Sequence, residues 1–166
     1  KGLVPYAQQR RYKEAISREN IVDMIVVMLE KVKGKSVDEI AAENGVSVGE
    51  NRFTDTNSRN VDACFSLGVV NGVGEGLFNP DGNLTRAEMI AMINRTATLF
   101  GIETNGYEYT FDDTADHWVN GEIGWSVHSK IINGVGDNKF APDLQLTKEQ
   151  AILILYRACK IFENAA

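Results

Sequence analysis

Three short segments of the chain place a cation at the start of a predicted helix. The segments are 16–20, 84–88 and 146–150, and their cations are Arg18, Arg86 and Lys148. The N-terminal end of a helix is already positive, so a cation there is electrostatically unfavourable unless something compensates it. Unpaired helix N–H groups beside a cation suit an anion. The pattern predicts anion binding at these helix starts. The alternative is a structural ion pair with a carboxylate of the neighbouring repeat.

The same segments carry the signal that begins a helix. Thr85 and Glu88 form a capping box, in which the hydroxyl accepts from a backbone N–H three residues on and the carboxylate reaches back. Thr147 and Gln150 repeat this box, and segment 16–20 holds a weaker version. The spacing therefore predicts one helix from each segment, with the cation at its first position.

Catalytic and metal-binding patterns are poorly represented. The glycine-rich run 72–76 lacks the Lys-Ser/Thr ending of a phosphate-binding loop and follows a predicted helix, not a strand. His117 and His128 lie roughly 16 Å apart at about 1.5 Å per helical residue, so they cannot share one metal ion. No nucleophile motif occurs, and no motif distinguishes a catalytic pair among the many acidic residues. The sequence predicts a protein that is not an enzyme and has neither a metal nor a cofactor.

The composition is that of a globular domain with an acidic surface. The chain has 166 residues, of which 43% are hydrophobic and 24% charged, with a net charge of −6. This charge argues against general nucleic-acid or anionic-membrane binding. No apolar run approaches the roughly 20 residues of a membrane span. An anionic ligand would therefore be bound by local cations and not by the overall field.

Two cysteines, Cys64 and Cys159, lie in apolar helical runs. Buried free thiols are the favoured interpretation, and a single disulfide is the alternative.

The chain is built from internal repeats. The motif at 78–80 returns at 140–142, an offset of 140 − 78 = 62, while the motif at 53–56 returns at 111–114, an offset of 58. The difference predicts four extra residues in the first helix of the last repeat. We divide the chain into a partial repeat at 1–45, which lacks its first helix, and two full repeats at 46–105 and 106–166. Such units pack on one another, so we expect one compact module.

Each full repeat has the pattern helix, glycine-rich loop, helix. Apolar spacing and capping residues predict helices at 17–33, 36–44, 58–67, 85–100, 116–131 and 147–162, with a connector at Val46–Arg52. The predicted fold class is all-α. Three such units allow a closed, roughly threefold, three-lobed arrangement.

These motifs in fixed order resemble the S-layer homology family. In the last repeat they are Phe111-Asp112-Asp113, His117-Trp118, Ile131-Ile132-Asn133-Gly134, Phe140-Ala141-Pro142 and Leu146-Thr147-Lys148-Glu149-Gln150. The middle repeat matches through Phe53-Thr54-Asp55, the run 67–72, Phe78-Asn79-Pro80 and Leu84-Thr85-Arg86-Ala87-Glu88. The first repeat matches only at Leu3-Val4 and Ile16-Ser17-Arg18.

The resemblance implies a pseudo-threefold bundle of helix–loop–helix repeats that holds secreted proteins non-covalently to the bacterial cell wall. The implied partner is an anionic secondary cell-wall polysaccharide ending in pyruvylated N-acetylmannosamine, bound in grooves between repeats. The motif arginine would pair with the ketal carboxylate, which points to Arg18, Arg86 and, as a third cation, Lys148. We expect a monomeric module of a larger surface protein. The alternative is a structural or protein-interaction module without glycan affinity.

Departures from the family pattern predict that some grooves are degenerate. Lys148 offers a point charge where arginine offers a fork. The middle repeat has no tryptophan at the place of Trp118, and the first repeat lacks its opening half.

Five other residues are candidate glycan contacts with structural alternatives. Asp55 and Asp113 would bind sugar hydroxyls or serve a turn or helix start. Trp118 would stack on a sugar face or lie in the core. Gly72 and Gly134 would let a sugar approach closely or, as the favoured alternative, adopt positive φ in a turn.

Overall fold

The computed structural model describes residues 2–49 and 51–166 and is all-α, as predicted. Its helices are α1 (Arg18–Lys33), α2 (Val37–Glu43), α3 (Arg59–Ser66), α4 (Arg86–Thr98), α5 (Asn120–His128) and α6 (Lys148–Ala165). A short 3₁₀ turn spans Tyr6–Gln8. The predicted connector Val46–Arg52 includes Glu50, which lies outside the described residues, as does Lys1.

The helix starts form as the capping residues indicate. The Thr85 hydroxyl accepts from the Glu88 N–H and the Glu88 carboxylate accepts from the Thr85 N–H, so the predicted capping box is confirmed. Thr147 and Gln150 form the same reciprocal pair. At the first repeat only the forward bond is made, from Asn20 N–H to Ser17. Each cation therefore occupies the first helical position.

The first helix of the last repeat is shorter than predicted. α5 has nine residues and begins at Asn120, whereas α3 has eight. The Thr114 hydroxyl bonds to the Phe111 carbonyl and the Asn120 side chain, and the His117 N–H donates to the Thr114 carbonyl. These local bonds hold residues 111–120 in turns, because short polar side chains compete with helix formation. The additional residues thus lie mainly in the turn before the helix.

A closed circuit of backbone hydrogen bonds joins the three segments 1–45, 46–105 and 106–166, which the sequence predicts to be repeats. Ile16 N–H donates to the Leu146 carbonyl, Leu146 N–H to the Leu84 carbonyl, and Leu84 N–H to the Ile16 carbonyl, each at 2.9 Å. All three residues are fully buried. Each of them lies two residues before its helix, so the circuit fixes where α1, α4 and α6 begin.

The long helices pack around one core. α6 contacts both α1 and α4, while α3 packs on α1 and α5 packs on α4. The apolar faces of two of these helices are buried, on α1 at Val22, Ile25, Val26 and Leu29, and on α4 at Ile90, Ile93 and Ala97. Cys64 and Cys159 are buried free thiols, so the favoured interpretation is confirmed. Among the described residues, no helix is long and apolar enough to cross a membrane.

Candidate functional site

The first N–H groups of the three long helices are already bonded to a neighbouring repeat. The N–H of Arg18 donates to the Gly82 carbonyl, and the N–H of Arg86 donates to the Leu144 carbonyl. Lys148 N–H donates to a carbonyl of the first repeat in the same way. The N–H of the residue after each cation also donates to a carbonyl of the repeat that its helix start contacts. The expectation that these amides are open to an anion is therefore wrong: carbonyl groups of the neighbouring repeat satisfy them.

The Arg18 side chain clamps the first repeat to the second. Its Nε donates to the Phe78 carbonyl at 2.9 Å and Nη2 to the Asn71 carbonyl at 3.0 Å, with the guanidinium carbon 4.8 Å from the centre of the Phe78 ring. Nη1 donates to Glu88 Oε1 at 2.7 Å. Only 5% of Arg18 is exposed. The structural alternative, an ion pair with the next repeat, is thus present at this position.

Arg86 makes the same clamp between the second and third repeats, without the ion pair. Nε donates to the Phe140 carbonyl and Nη2 to the Asn133 carbonyl, both at 2.8 Å, and the guanidinium carbon lies 4.7 Å from the Phe140 ring centre. Within the described chain no carboxylate lies within 4.0 Å of this guanidinium. Burial lowers the pKa of Arg86, and the nearby Asp113 charge partly offsets this.

The difference between the two arginines follows from one residue type. Arg18 pairs with Glu88, the capping-box residue of the next helix start. In the following helix start that position is Gln150, an amide. Nη1 of Arg86 has no hydrogen-bond partner among the described residues and is not an enclosed atom, so it reaches solvent. The corresponding atom of Arg18, its Nη1, bonds to the Glu88 carboxylate.

The third cation, Lys148, differs from the two arginines in its exposure and in its contacts. Lys148 is partly exposed, and its Nζ makes no ion pair or hydrogen bond within the described part of the chain. Its amine supplies a single point charge at the junction of the third and first repeats.

A cleft of about 140 Å³ opens beside the Arg18–Glu88 pair. Arg18, Gly72, Glu88, Arg95 and Trp118 are among its lining residues. Trp118 is 57% exposed, so the structural alternative for this residue, a place in the core, is wrong. The turn at 111–120, which shortens α5, carries this ring on the surface beside α4.

Arg95 lines the cleft but was not among the residues predicted from the sequence. Glu88, Ala91, Met92 and Arg95 follow the spacing i, i+3, i+4, i+7 on α4 and line the cleft together. That spacing, counted from the capping-box glutamate, was the available signal. Arg95 Nη2 lies 4.0 Å from Glu122 Oε1. Burial raises the pKa of Glu122, and the positive charge of Arg95 offsets part of this rise.

Asp55 and Asp113 hold the glycine-rich loop of their own repeat. Asp55 accepts from the N–H groups of Phe78 and Asn79 at 2.8 and 2.7 Å. Asp113 accepts from Phe140 and Ala141, both at 2.8 Å. For Asp55 the Phe78 bond is the main cause of a lowered pKa; for Asp113 burial raises the pKa, but the two backbone bonds outweigh it and the pKa is lowered. Both carboxylates therefore have the structural role in a turn that was the alternative to sugar binding.

Gly72 and Gly134 do not adopt positive φ, so the favoured explanation for them is wrong. A Cβ on Gly72 would lie 2.6 Å from a ring carbon of Phe53 and 2.7 Å from the Leu77 carbonyl oxygen. A Cβ on Gly134 would lie 2.7 Å from a ring carbon of Phe111 and 2.8 Å from the Lys139 carbonyl oxygen. Glycine is needed here because the backbone of the loop packs directly on an aromatic ring.

Comparison with known proteins matches two segments, 52–90 and 110–152, to the S-layer homology domain. A cell surface protein of Thermoanaerobacter kivui is 33% identical over 59% of this chain and 13% of its own length. A surface-layer 125 kDa protein of Lysinibacillus sphaericus is 33% identical over 61% of the chain and 8% of its own length. A cellulosome-anchoring protein of Acetivibrio thermocellus is 31% identical over 52% of the chain and 20% of its own length.

The matches agree with the geometry of the two complete repeats. Both matched segments contain an aspartate that holds the glycine-rich loop and a helix start with its cation, and the chain spans a fifth or less of these relatives. The chain is a member of the S-layer homology family and a cell-surface anchoring module.

Proposed function

We propose that this module anchors a larger surface protein by binding an anionic secondary cell-wall polysaccharide through pyruvate ketals on N-acetylmannosamine. The ketal carboxylate would bond to Nη1 of Arg86, in the position that the Glu88 carboxylate has on Arg18. Membership of an anchoring family and the likeness to a cellulosome-anchoring protein support this function.

The contrast between Arg18 and Arg86 is the observation that carries the proposal. Both guanidinium groups are held by two carbonyls and an aromatic ring, so their orientation is fixed before a ligand arrives. A fixed cation costs little ordering entropy on binding. Among the described residues, a carboxylate pairs with Arg18 and none pairs with Arg86. Arg86 therefore retains the charge that an anionic sugar substituent would compensate.

The chain also supports a three-lobed arrangement with pseudo-threefold symmetry, which we propose for the six helices. The support comes from the circuit through Ile16, Leu84 and Leu146 and from the repeated contact of each helix start with the loop of a neighbouring repeat. In this arrangement Lys148 would face a third groove, where its point charge gives a weaker contact than arginine.

An exposed apolar surface favours a second candidate, a protein-interaction module without glycan affinity. Leu153 and Tyr156 on α6 are 48% and 50% exposed, and they lie beside Tyr12 and Leu3. Apolar patches of this kind occur at protein–protein contacts. The two functions differ in whether purified wall polymer binds and whether its pyruvate matters.

The test uses Gln150→Glu, because Arg86 itself supports the fold and its removal would confuse binding with unfolding. Glutamate at 150 keeps the capping box and supplies Arg86 with the carboxylate that Arg18 already has. Binding to wall polymer, native or chemically freed of pyruvate, would be measured by isothermal titration calorimetry. Glu149→Gln, a change on the same helix turn, serves as the control.

We expect the original chain to bind native polymer and to lose at least tenfold in affinity when pyruvate is removed. Gln150→Glu should lose a similar factor on native polymer while unfolding at the same or a higher temperature. Equal binding of both polymers, or unchanged binding by Gln150→Glu, would contradict the assignment. Absence of polymer binding by the original chain would favour the interaction module.

A further inference from the structure

We propose that the exposed apolar face of α6 binds one further amphipathic helix, which lies directly ahead of Gly2 in the parent protein and packs on α6 as α3 packs on α1. This α6 face borders a cavity of about 510 Å³, and its apolar lining residues are Leu3, Tyr12, Ile152, Leu153 and Tyr156. The inference concerns how the module is completed as a folded unit, and it does not rest on glycan binding.

α6 differs from the other two long helices in what covers it. α3 packs on α1 and α5 packs on α4, whereas α6 has its substantial contacts within the described chain with α1 and α4 themselves. All three long helices begin with the same motif and share one core, but α6 also carries apolar side chains on a face that no described helix covers. An apolar stripe on a helix is normally packed against another element.

The uncovered positions of α6 correspond to covered positions of α4. By the offset of 148 − 86 = 62 between the two helix starts, Leu153 corresponds to Ala91. Tyr156 corresponds to Asn94 by the same offset. The two α4 residues are 2% and 5% exposed, but the two α6 residues are 48% and 50% exposed. Asn94 donates to the Glu122 carbonyl of α5 at 2.6 Å. On α4 this face is therefore the contact with the second helix.

α1 shows the same relation and indicates the chemistry of the occupant. By the offset of 148 − 18 = 130, Leu153 corresponds to Asp23, whose carboxylate accepts from the Asn60 side chain of α3 at 2.9 Å. On α1 and α4 a polar side chain thus meets a polar partner. Leu153 cannot form a hydrogen bond, and a polar group buried against it would be left unsatisfied. The helix that covers α6 must therefore present an apolar stripe.

The backbone at Gly2 has the geometry of a residue that follows a helix. Gly68 comes just after the end of α3 with φ of 73°, and Lys130 comes just after the end of α5 with φ of 58°. Gly2 has φ of 100° and precedes Leu3 as those two residues precede their own apolar pairs. A residue with positive φ just past the last turn is a common helix end. The proposed helix would therefore end at Gly2, beside the α6 face.

The N–H of Leu3 lacks the acceptor that α3 and α5 provide at the corresponding places. Val69 N–H donates to the Cys64 carbonyl of α3 at 2.8 Å, and Ile131 N–H donates to the Ser126 carbonyl of α5 at 2.9 Å. In both cases the acceptor is five residues back, because 69 − 64 and 131 − 126 are both 5. Leu3 packs against the core, but its N–H has no acceptor among the described residues. A helix directly ahead of Gly2 would supply that carbonyl.

The experiment compares the 166-residue chain with the same chain extended by the 20 residues that precede it in the parent protein, the length of the span 111–130 that holds α5 (130 − 111 + 1 = 20). The first measurement is the rate at which a thiol reagent labels the Leu153→Cys variant, since Cys64 and Cys159 are buried. Leu144→Cys is the matched control, because Leu144 is 49% exposed and lies outside α6.

We expect the extension to slow the labelling of Leu153→Cys by about tenfold or more and to leave Leu144→Cys unchanged, because a docked helix covers only the first site. Amide hydrogen exchange at Leu3, measured by NMR in the unsubstituted chains, should slow by about the same factor. Tyr156→Glu should lower the unfolding temperature of the extended chain and not that of the 166-residue chain, because only the docked helix would bury the new carboxylate.

Equal labelling of Leu153→Cys in both chains, with unchanged hydrogen exchange at Leu3, would overturn the proposal. Slow labelling in the 166-residue chain itself, accompanied by a dimer in sedimentation velocity, would assign the α6 face to a second copy and would overturn it as well. None of these measurements involves a glycan, so failure of this inference and failure of the anchoring function are distinguishable.

Discussion

Arg18 Nη1 and Glu88 Oε1 lie 2.7 Å apart across the boundary between the first and second repeats. Arg86 has the same place in the second repeat and the same two carbonyl partners, but the residue at the position of Glu88 is Gln150. With the carboxylate of Glu88, the Arg18 clamp is neutralised. With the amide of Gln150, the Arg86 clamp keeps its positive charge. This relationship distinguishes two arginine clamps whose arginines occupy the same position of the sequence motif.

The Arg18–Glu88 pair should contribute measurably to stability. Glu88→Gln keeps the capping box, as Gln150 shows, and removes only the negative partner of a buried guanidinium. We expect a loss of about 2 kcal/mol in the free energy of unfolding, because a charged hydrogen bond in a largely buried setting is lost. Urea unfolding followed by circular dichroism measures it.

Glu149→Gln is the control for that experiment. Glu149 pairs with Lys13 at 2.9 Å, but 86% of the lysine and 44% of the glutamate side chain are exposed. Pairs of this kind contribute about 0–1 kcal/mol. Equal losses of unfolding free energy in Glu88→Gln and Glu149→Gln would show that the Arg18–Glu88 pair contributes no more than an exposed ion pair.

Gly134→Ala should destabilise the last repeat through a steric clash. The new methyl group would lie 2.8 Å from the Lys139 carbonyl oxygen and 2.7 Å from the Phe111 ring, so loop and ring must separate. We expect a cost of about 1–3 kcal/mol, the usual range for overpacking. Thermal unfolding compares it with Gly121→Ala on α5, where a Cβ has no atom of the described residues within 4 Å. That control should be neutral or stabilising by up to about 1 kcal/mol.

Acid should weaken the hold of Asp55 and Asp113 on their loops. The folded-state pKa of both carboxyls is lowered, so the unfolded chain binds protons first as the pH falls. Their contribution is complete above the unfolded pKa of about 3.9 and is lost as the pH falls through the lower folded values. In the double variant Asp55→Asn/Asp113→Asn, the free energy of unfolding should decline less steeply below about pH 4 than in the original chain. Urea unfolding from pH 6 to 2.5 measures this, with the exposed Asp81→Asn as the control; an unchanged slope would be the contrary result.

Cys64 should resist thiol reagents in the folded protein. The thiol is fully buried, and burial raises its pKa to about 12, with the Asp23 charge adding to the shift. Because the thiolate is the reactive form, we expect no reaction with an aromatic disulfide reagent over an hour at pH 8 and rapid reaction of both cysteines in urea. Prompt labelling of Cys64 without denaturant, detected by mass spectrometry, would show that the core around α3 opens.

Much of the fold was predictable because its signals are local. Capping residues at Ser17, Thr85 and Thr147 marked three helix starts, and apolar spacing marked the buried faces. The limits of α5 were not predictable from spacing, because Thr114 bonds to Phe111 and Asn120 and so competes with the helix.

The candidate site was less accessible to sequence reasoning, because its contacts join residues far apart in the chain. The cation at each helix start was recognised, but the carbonyls that hold Arg18 and Arg86 come from loops of the next repeat, more than 45 residues away. The sequence indicated that glycine is needed at Gly72 and Gly134, but the favoured reason for it was wrong. Glycine in a loop suggests positive φ more readily than contact with Phe53 or Phe111.

The hydrogen-bonded circuit through Ile16, Leu84 and Leu146 has a mechanical consequence for an anchor. A pull along α6 reaches Leu146, whose N–H and carbonyl are tied to two different repeats. Tension applied to one helix is therefore shared among all three at a buried junction, and the repeats should yield together under force and not peel away one by one.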